Sequence, residues 1–289
     1  MTDRLNRLFE LMAVAHLEAV AVTAGPNLTY LTGLHFHLME RPTVLLIRKD
    51  HPAVLVLPEF ERAKAEGAAI PLETVAYPED PMLWPEAFSD AAERLHLSGA
   101  RVGVEPLRMR VLELRYLEAA EPGARYVASA ETFDSLRLLK DPGEIEAMRK
   151  AVAIAERALI DTLPKVRAGM TEKDVAAELV LHLLRGGSES SLPFDPIVAS
   201  GPNSANPHWA TGERRLAPGD LLIIDWGATA DGYISDLTRT FSLGSPDKES
   251  ARIHSAVAEA NAAGCAAVRP GATCGSVDDA TRGVIDGAG

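Results

Sequence analysis

The chain has 289 residues, 47% of them hydrophobic, and a formal net charge of −12 at pH 7. This length and apolar content exclude a disordered chain and suit two domains. An acidic balance with both signs spread along the chain argues against a nucleic-acid or anionic-membrane binder, because neither is attracted to such a surface.

The first stretch, MTDRLNRLFELMAVAHLEAVAV, sets Leu5, Leu8, Leu11 and Met12 at helical spacing. His16 and Glu18 interrupt the apolar run, so it is neither a secretory h-region nor a membrane span. EAVAVTA, TVLLIRK, AVLVLP and RVGVEP then read as short strands, and LWPEAFSDAAERLHL and RMRVLELRYLEAA as amphipathic helices. The expectation is a small α/β domain over residues 1–130 with its own core. In LRLLKDPGEIEAMRKA, Asp141 can cap a helix, Pro142 takes its first position and Glu144 follows three residues after the cap. The domain boundary is placed near this helix start, with a second domain over 131–289. A further helix is expected around Val175 to Leu184, bounded by Thr171 and Gly186-Gly187. Cys265 and Cys274 are not spaced as CxxC and form no disulfide framework, so a reduced cytoplasmic setting is expected.

VRAGMT begins at Val166 and VRPGAT at Val268, and the same offset pairs Val175 with Val277 and Gly187 with Gly289. Each copy reads as helix, turn, helix, glycine, so an internal repeat is expected. The first copy spans 142–244. The second is expected to be cut short, since nothing in the sequence corresponds to Ser188 to Leu243.

Between the two copies, LLIIDWGATADGYISDLTRTF runs from Leu221 to Phe241. Asp231-Gly232 marks a two-residue hairpin turn. Counting back from it sets Ala230 opposite Tyr233, Gly227 opposite Asp236 and Asp225 opposite Thr238. Side chains alternate faces, so Asp225, Gly227 and Asp236 share one face. The carboxylates are then diagonal neighbours, roughly 7–8 Å apart or a little less, and Gly227 is expected to leave open space across from Asp236. Such a pair suits a dinuclear metal centre, where cations sit ~3.5–4 Å apart, and an oxygen-rich ligand set suits an ion such as Mn²⁺. Two alternatives stand beside this on the hairpin alone. Asp225 is exposed at a strand end, and Asp236 pairs with Arg239 or caps a turn.

The hairpin resembles the metal-ligand hairpin of the Xaa-Pro peptidases, the prolidase and aminopeptidase P group with the pita-bread fold. LRLLKDPGEIEAMRKA is similar to that family's domain junction, IVASGPNSANPHWATGERRLAPGDLLIIDWG to its approach to the active site, and NLTYLTGL to its N-terminal domain. The resemblance covers essentially the whole chain. It implies a creatinase-like α/β N-terminal domain and an α+β pita-bread domain, incomplete in this sequence. It also implies two divalent ions, Mn²⁺ first with Co²⁺ or Zn²⁺ as alternatives, with Asp225 and Asp236 as ligands and Asp236 bridging. His208, in NPHWATG, matches a histidine that contacts substrate or stabilises the transition state. His35, His37 and Arg41, in LHFHLMERP, are candidates for recognising a peptide terminus, across a homodimer in relatives; an ordinary polar loop is the competing reading. The family pattern needs a further histidine and two glutamates. His254, Glu259 and Asp278 read as solvated helix faces, so this 289-residue form is expected to lack three ligands and to be inactive. The implied activity is hydrolysis of Xaa-Pro dipeptides. The alternatives are an Xaa-Pro aminopeptidase on longer peptides, a creatinase-like amidinohydrolase and a non-catalytic pita-bread binding protein.

Overall fold

Continuous aliphatic runs, rather than alternating ones, build the first sheet, because both of its faces are covered. The computed structural model describes residues 2–289, which divide into two units, Met1–Lys140 and Asp141–Gly289. The first unit runs α1 (Thr2–Val14), β1 (Ala19–Thr23), α2 (Pro26–Thr32), β2 (Val44–Arg48), β3 (Ala53–Pro58), β4 (Leu72–Tyr77), α3 (Trp84–Arg94), β5 (Arg101–Val104), α4 (Val111–Ala120), β6 (Arg125–Ala128) and α5 (Ala130–Leu138). Its six-stranded mixed sheet has the order β4-β3-β2-β1-β5-β6. Alternate residues of one strand feed two cores. Val20, Val22, Leu45 and Leu55 pack with Leu8 and Met12 of α1, while Ala19, Ala21, Leu46 and Val54 pack with Phe88 of α3 and Leu117 of α4.

Two strands, β4 and β6, are absent from the sequence-based reading. Both lie at sheet edges, and only Val75 and Tyr77 among their residues are buried, so neither carries a continuous apolar run. The units divide at Lys140 and Asp141, later than the boundary at residue 130 expected above. The reason is α5, whose Phe133 and Leu136 belong to the first core and whose Ser135 carbonyl accepts from Arg7 Nη2 at 2.7 Å.

The second unit opens on the capped helix α6 (Pro142–Thr162). The Glu144 backbone N–H donates to Asp141 Oδ1 at 2.9 Å, and the Asp141 N–H donates to Glu144 Oε2 at 2.7 Å. Then follow α7 (Glu172–Arg185), β7 (Ile197–Ser200), β8 (Leu221–Trp226), β9 (Thr229–Ala230), β10 (Tyr233–Ile234), β11 (Leu237–Ser242), α8 (Lys248–Ala267) and α9 (Cys274–Ala288). An antiparallel sheet, β11-β8-β7, packs one face on α6 and α7. Leu222, Ile224 and Trp226 are buried against Ala151, Ala155, Val175 and Leu179, and Trp226 Nε1 donates to Ala155 O at 2.9 Å. Leu221, Ile223 and Asp225 are only half-buried on the other face.

The turns before α7 and α9 share their chemistry. Gly169 and Gly271 hold φ of 89° and 86°, a region that favours glycine. Thr171 and Thr273 cap the helices that follow, accepting from the backbones of Asp174 and Ser276. Among the described residues no helix is long and apolar enough to cross a membrane.

In the hairpin, Tyr233 pairs with Ala230 and Thr238 with Asp225, as counted from the turn. Asp231 and Gly232 both take positive φ, 52° and 75°, as a primed turn requires. Gly227 does not hold open space. A Cβ there would lie 2.0 Å from the Ser235 carbonyl oxygen and 2.8 Å from Pro193 Cγ, so the glycine permits a close approach of two backbones. Gly227→Ala is expected to destabilise the second unit by about 3 kcal/mol through overpacking, the upper end of the usual range because the obstructing atom is backbone. Urea unfolding checks this, and an unchanged midpoint would refute the contact.

Candidate active site

The hairpin register sets Asp225 on the sheet face turned away from α6 and α7. Asp225 is half-buried at the end of β8, and its Oδ1 accepts from Thr238 Oγ1 at 2.9 Å. Asp236 lies between β10 and β11 and is exposed. The Arg239 guanidinium donates to Thr238 O at 2.8 Å, and no ion pair joins it to Asp236 among the described residues. Hard carboxylate oxygens suit a divalent cation in kind. In number they fall short, since a catalytic metal site takes about three protein ligands. Among the described residues no group of three or more His, Cys, Asp or Glu side chains is gathered to hold a metal. His254, Glu259 and Asp278 are exposed on α8 and α9. Asp225 and Asp236 therefore do not amount to a full site for a metal pair.

His208 sits on the segment that leaves β7 at Ser200 and returns to it at Thr211. The return is tied to the Asp225 end of the sheet. Thr211 Oγ1 donates to Pro196 O at 3.0 Å and accepts from Val198 N at 2.8 Å, and the intervening Ile197 pairs with Asp225. His208 is exposed, its backbone N–H donating to Asn206 Oδ1 at 3.0 Å. No hydrogen bond joins it to either acid among the described residues.

The residue that organises this segment went unremarked in the sequence. Glu172, the first residue of α7, is wholly buried. Its Oε1 accepts from Ser200 N at 2.8 Å, Ser200 Oγ at 2.7 Å and Asn203 Nδ2 at 2.9 Å. Its Oε2 accepts from Trp209 Nε1 at 2.9 Å and Gly212 N at 3.2 Å. Burial raises its pKa, but the donors from Ser200, Asn203 and Trp209 outweigh that and hold the carboxyl below its ordinary range. A signal was present in TEKD. Thr171 and Asp174 form the capping box, which leaves Glu172 as an acid with no capping task. Ser200 Oγ also accepts from Arg214 Nη1 at 2.7 Å, and Arg214 pairs with Asp220 at 2.6 Å. The hydrogen bond from Arg214 holds Asp220 low as well.

His35, His37 and Arg41 belong to the first unit. His35 and His37 are exposed on either side of buried Phe36. Arg41 donates to Glu79 Oε2 at 2.6 Å, pairs with Glu40 and lies 5.3 Å from the Phe60 ring centroid. Its charge is thus already offset by two carboxylates.

The creatinase/prolidase N-terminal domain matches residues 4–139, and metallopeptidase family M24 matches residues 146–289. The chain is similar to "Probable dipeptidase PepE" of Mycobacterium tuberculosis, at 33% identity over 96% of this chain and 73% of the relative. Among solved structures it resembles a dipeptidase from Pyrococcus horikoshii, with 31% identity and a TM-score of 0.90 over 99% of this chain and 78% of that one. It also resembles an Xaa-Pro dipeptidase from Bacillus anthracis, with 27% identity and a TM-score of 0.89 over 100% of this chain and 78% of that one. The chain belongs to metallopeptidase family M24, with a creatinase-type α/β domain ahead of a pita-bread domain. It is a peptidase by descent and by fold.

Acid should loosen this site. Glu172 is held low, so its contribution is complete above the ordinary glutamate value of ~4.3. It is lost as pH falls through the lower folded-state value, because the unfolded chain then binds more protons. Asp220 acts with the same sign. Acid titration followed by tryptophan fluorescence should therefore show a steep limb in the native chain and a shallower one in Glu172→Gln; equal limbs would count against it.

Proposed function

We propose that the chain recognises Xaa-Pro peptides, dipeptides first, as a metal-dependent peptidase. The reading is carried by Asp225 at the end of β8 and Asp236, exposed two residues before Thr238, which pairs with Asp225, in a member of a metallopeptidase family. In this reading the two aspartates are metal ligands, with Mn²⁺ preferred to Co²⁺ or Zn²⁺. His208, held on an ordered segment with its imidazole exposed, would contact the substrate or donate to the oxygen that gains charge in the transition state. Proline lacks an N–H and has a fixed φ, so a site for its bonds must recognise the ring rather than pair with the backbone. An acidic chain with two exposed thiols and a resemblance to these peptidases supports a cytoplasmic homodimer.

Two carboxylates are too few for tight metal binding. A second reading has the same fold bind a peptide without cleaving it. Titration calorimetry should show Asp236→Ala weakening Mn²⁺ binding at least about tenfold; equal affinities would remove Asp236 from the ligand set. Proline release that persists in the presence of a chelator would refute metal dependence.

The exposed His35 and His37 and the partly shielded Arg41 are proposed to meet a peptide terminus in the dimer. Arg41→Ala is expected to raise the dissociation constant for an Xaa-Pro dipeptide severalfold, about 1 kcal/mol. An unchanged constant would leave Arg41 as part of an ordinary ion pair.

A further inference from the structure

Glu172 has an arrangement that stability alone does not call for. A buried carboxylate is unfavourable unless its lone pairs are used, and a nonpolar side chain would fill the same volume more cheaply. Here both oxygens are used, and every side-chain donor comes from one segment. Oε1 receives Ser200 and Asn203, where the chain leaves β7; Oε2 receives Trp209 and Gly212, where it returns. The carboxylate thus closes the segment 200–212 at both ends. Its own position is secured from the helix side, since the Glu172 N–H donates to Arg214 O at 3.0 Å and the Lys173 N–H to Gly212 O at 3.1 Å. His208 is next to the anchored Trp209, and its backbone N–H is tied to Asn206. The main chain is held on both sides of a side chain that remains exposed. Fixing a backbone in advance removes conformational entropy that substrate binding would otherwise have to overcome.

We propose that Glu172 is the positioning residue for His208: through Ser200, Asn203, Trp209 and Gly212, its buried carboxylate holds residues 200–212 in the arrangement that presents the His208 imidazole. This rests on the reading of His208 as a substrate contact. The carboxylate form matters because five donors converge on two oxygens. A glutamine of the same shape has one oxygen and one NH₂. The NH₂ must face at least two donors, so at least two of the five bonds are lost and donor opposes donor.

Hydrogen exchange and NMR on the full 289-residue chain test this. In Glu172→Gln, amides of 200–212 and the Trp209 indole N–H should exchange at least tenfold faster, with α6 and β8 amides unchanged. The His208 imidazole resonances should shift toward free-histidine values. Glu172→Asp, which keeps the charge, should restore part of the protection. If Glu172→Gln fails to fold, Trp209→Phe removes one donor and leaves the carboxylate; it should loosen 209–212 more than 200–203. Xaa-Pro dipeptide binding supplies the functional reading. Glu172→Gln should weaken it about as much as His208→Ala, and the double variant should be no weaker than His208→Ala alone. Unchanged exchange at 200–212, or equal loss of protection throughout the second unit in both Glu172→Gln and Trp209→Phe, overturns the proposal. If His208→Ala leaves dipeptide binding unchanged while Glu172→Gln loosens the segment, the His208 reading fails, and the positioning role fails with it although the clamp remains.

Discussion

The antiparallel pairing of β8 with β11 is the constraint on which the second unit depends. Leu222, Ile224 and Trp226 must face α6 and α7 to close the core. That choice turns Leu221, Ile223 and Asp225 to the other face. The Asp231-Gly232 turn then sets the register of both strand pairs, with Asp236 exposed in the link between β10 and β11. A slip of one residue would expose the core and scatter the acids together. Core formation and the placement of the acidic pair are therefore consequences of one ladder of hydrogen bonds.

Buried charge is handled differently in the two units, though the principle is shared. In the first, Glu105 is buried and accepts from Thr23 N at 2.8 Å and Asn27 Nδ2 at 2.7 Å, joining β5 to β1 and α2. In the second, Glu172 joins α7 to a loop. The difference lies in what is held. Glu105 links elements that already pack through β1 and β5, whereas Glu172 holds a segment with few apolar contacts of its own. Loops of that kind keep their shape only when their polar groups are satisfied.

Much of this architecture was legible in order along the chain. Apolar runs marked β1, β2, β3 and β5, and the Asp141-Pro142-Glu144 cap marked the start of α6. The edge strands β4 and β6 were not legible, because an edge needs no continuous apolar run. Gly227 was misread as a spacer. Residue identity shows that no side chain is present, but only coordinates show that the Ser235 carbonyl takes up that room. The sequence left Arg41 open between a peptide-terminus contact and an ordinary polar loop, and its pairing with Glu79, distant in sequence, depends on how β4 is placed.

By itself the sequence determined the elements whose cause is local: caps, the primed turn, the hairpin register that sets Asp225 opposite Thr238, and motifs sufficient to indicate the family. Tertiary structure alone decided which polar groups meet. Glu172 stands 28 to 40 residues from its partners, and nothing in its neighbours Thr171 and Lys173 states that five donors will converge on it. Local geometry follows from adjacent residues. The pairing of buried charge follows from which surfaces the core brings together, and that is settled only when the chain has folded.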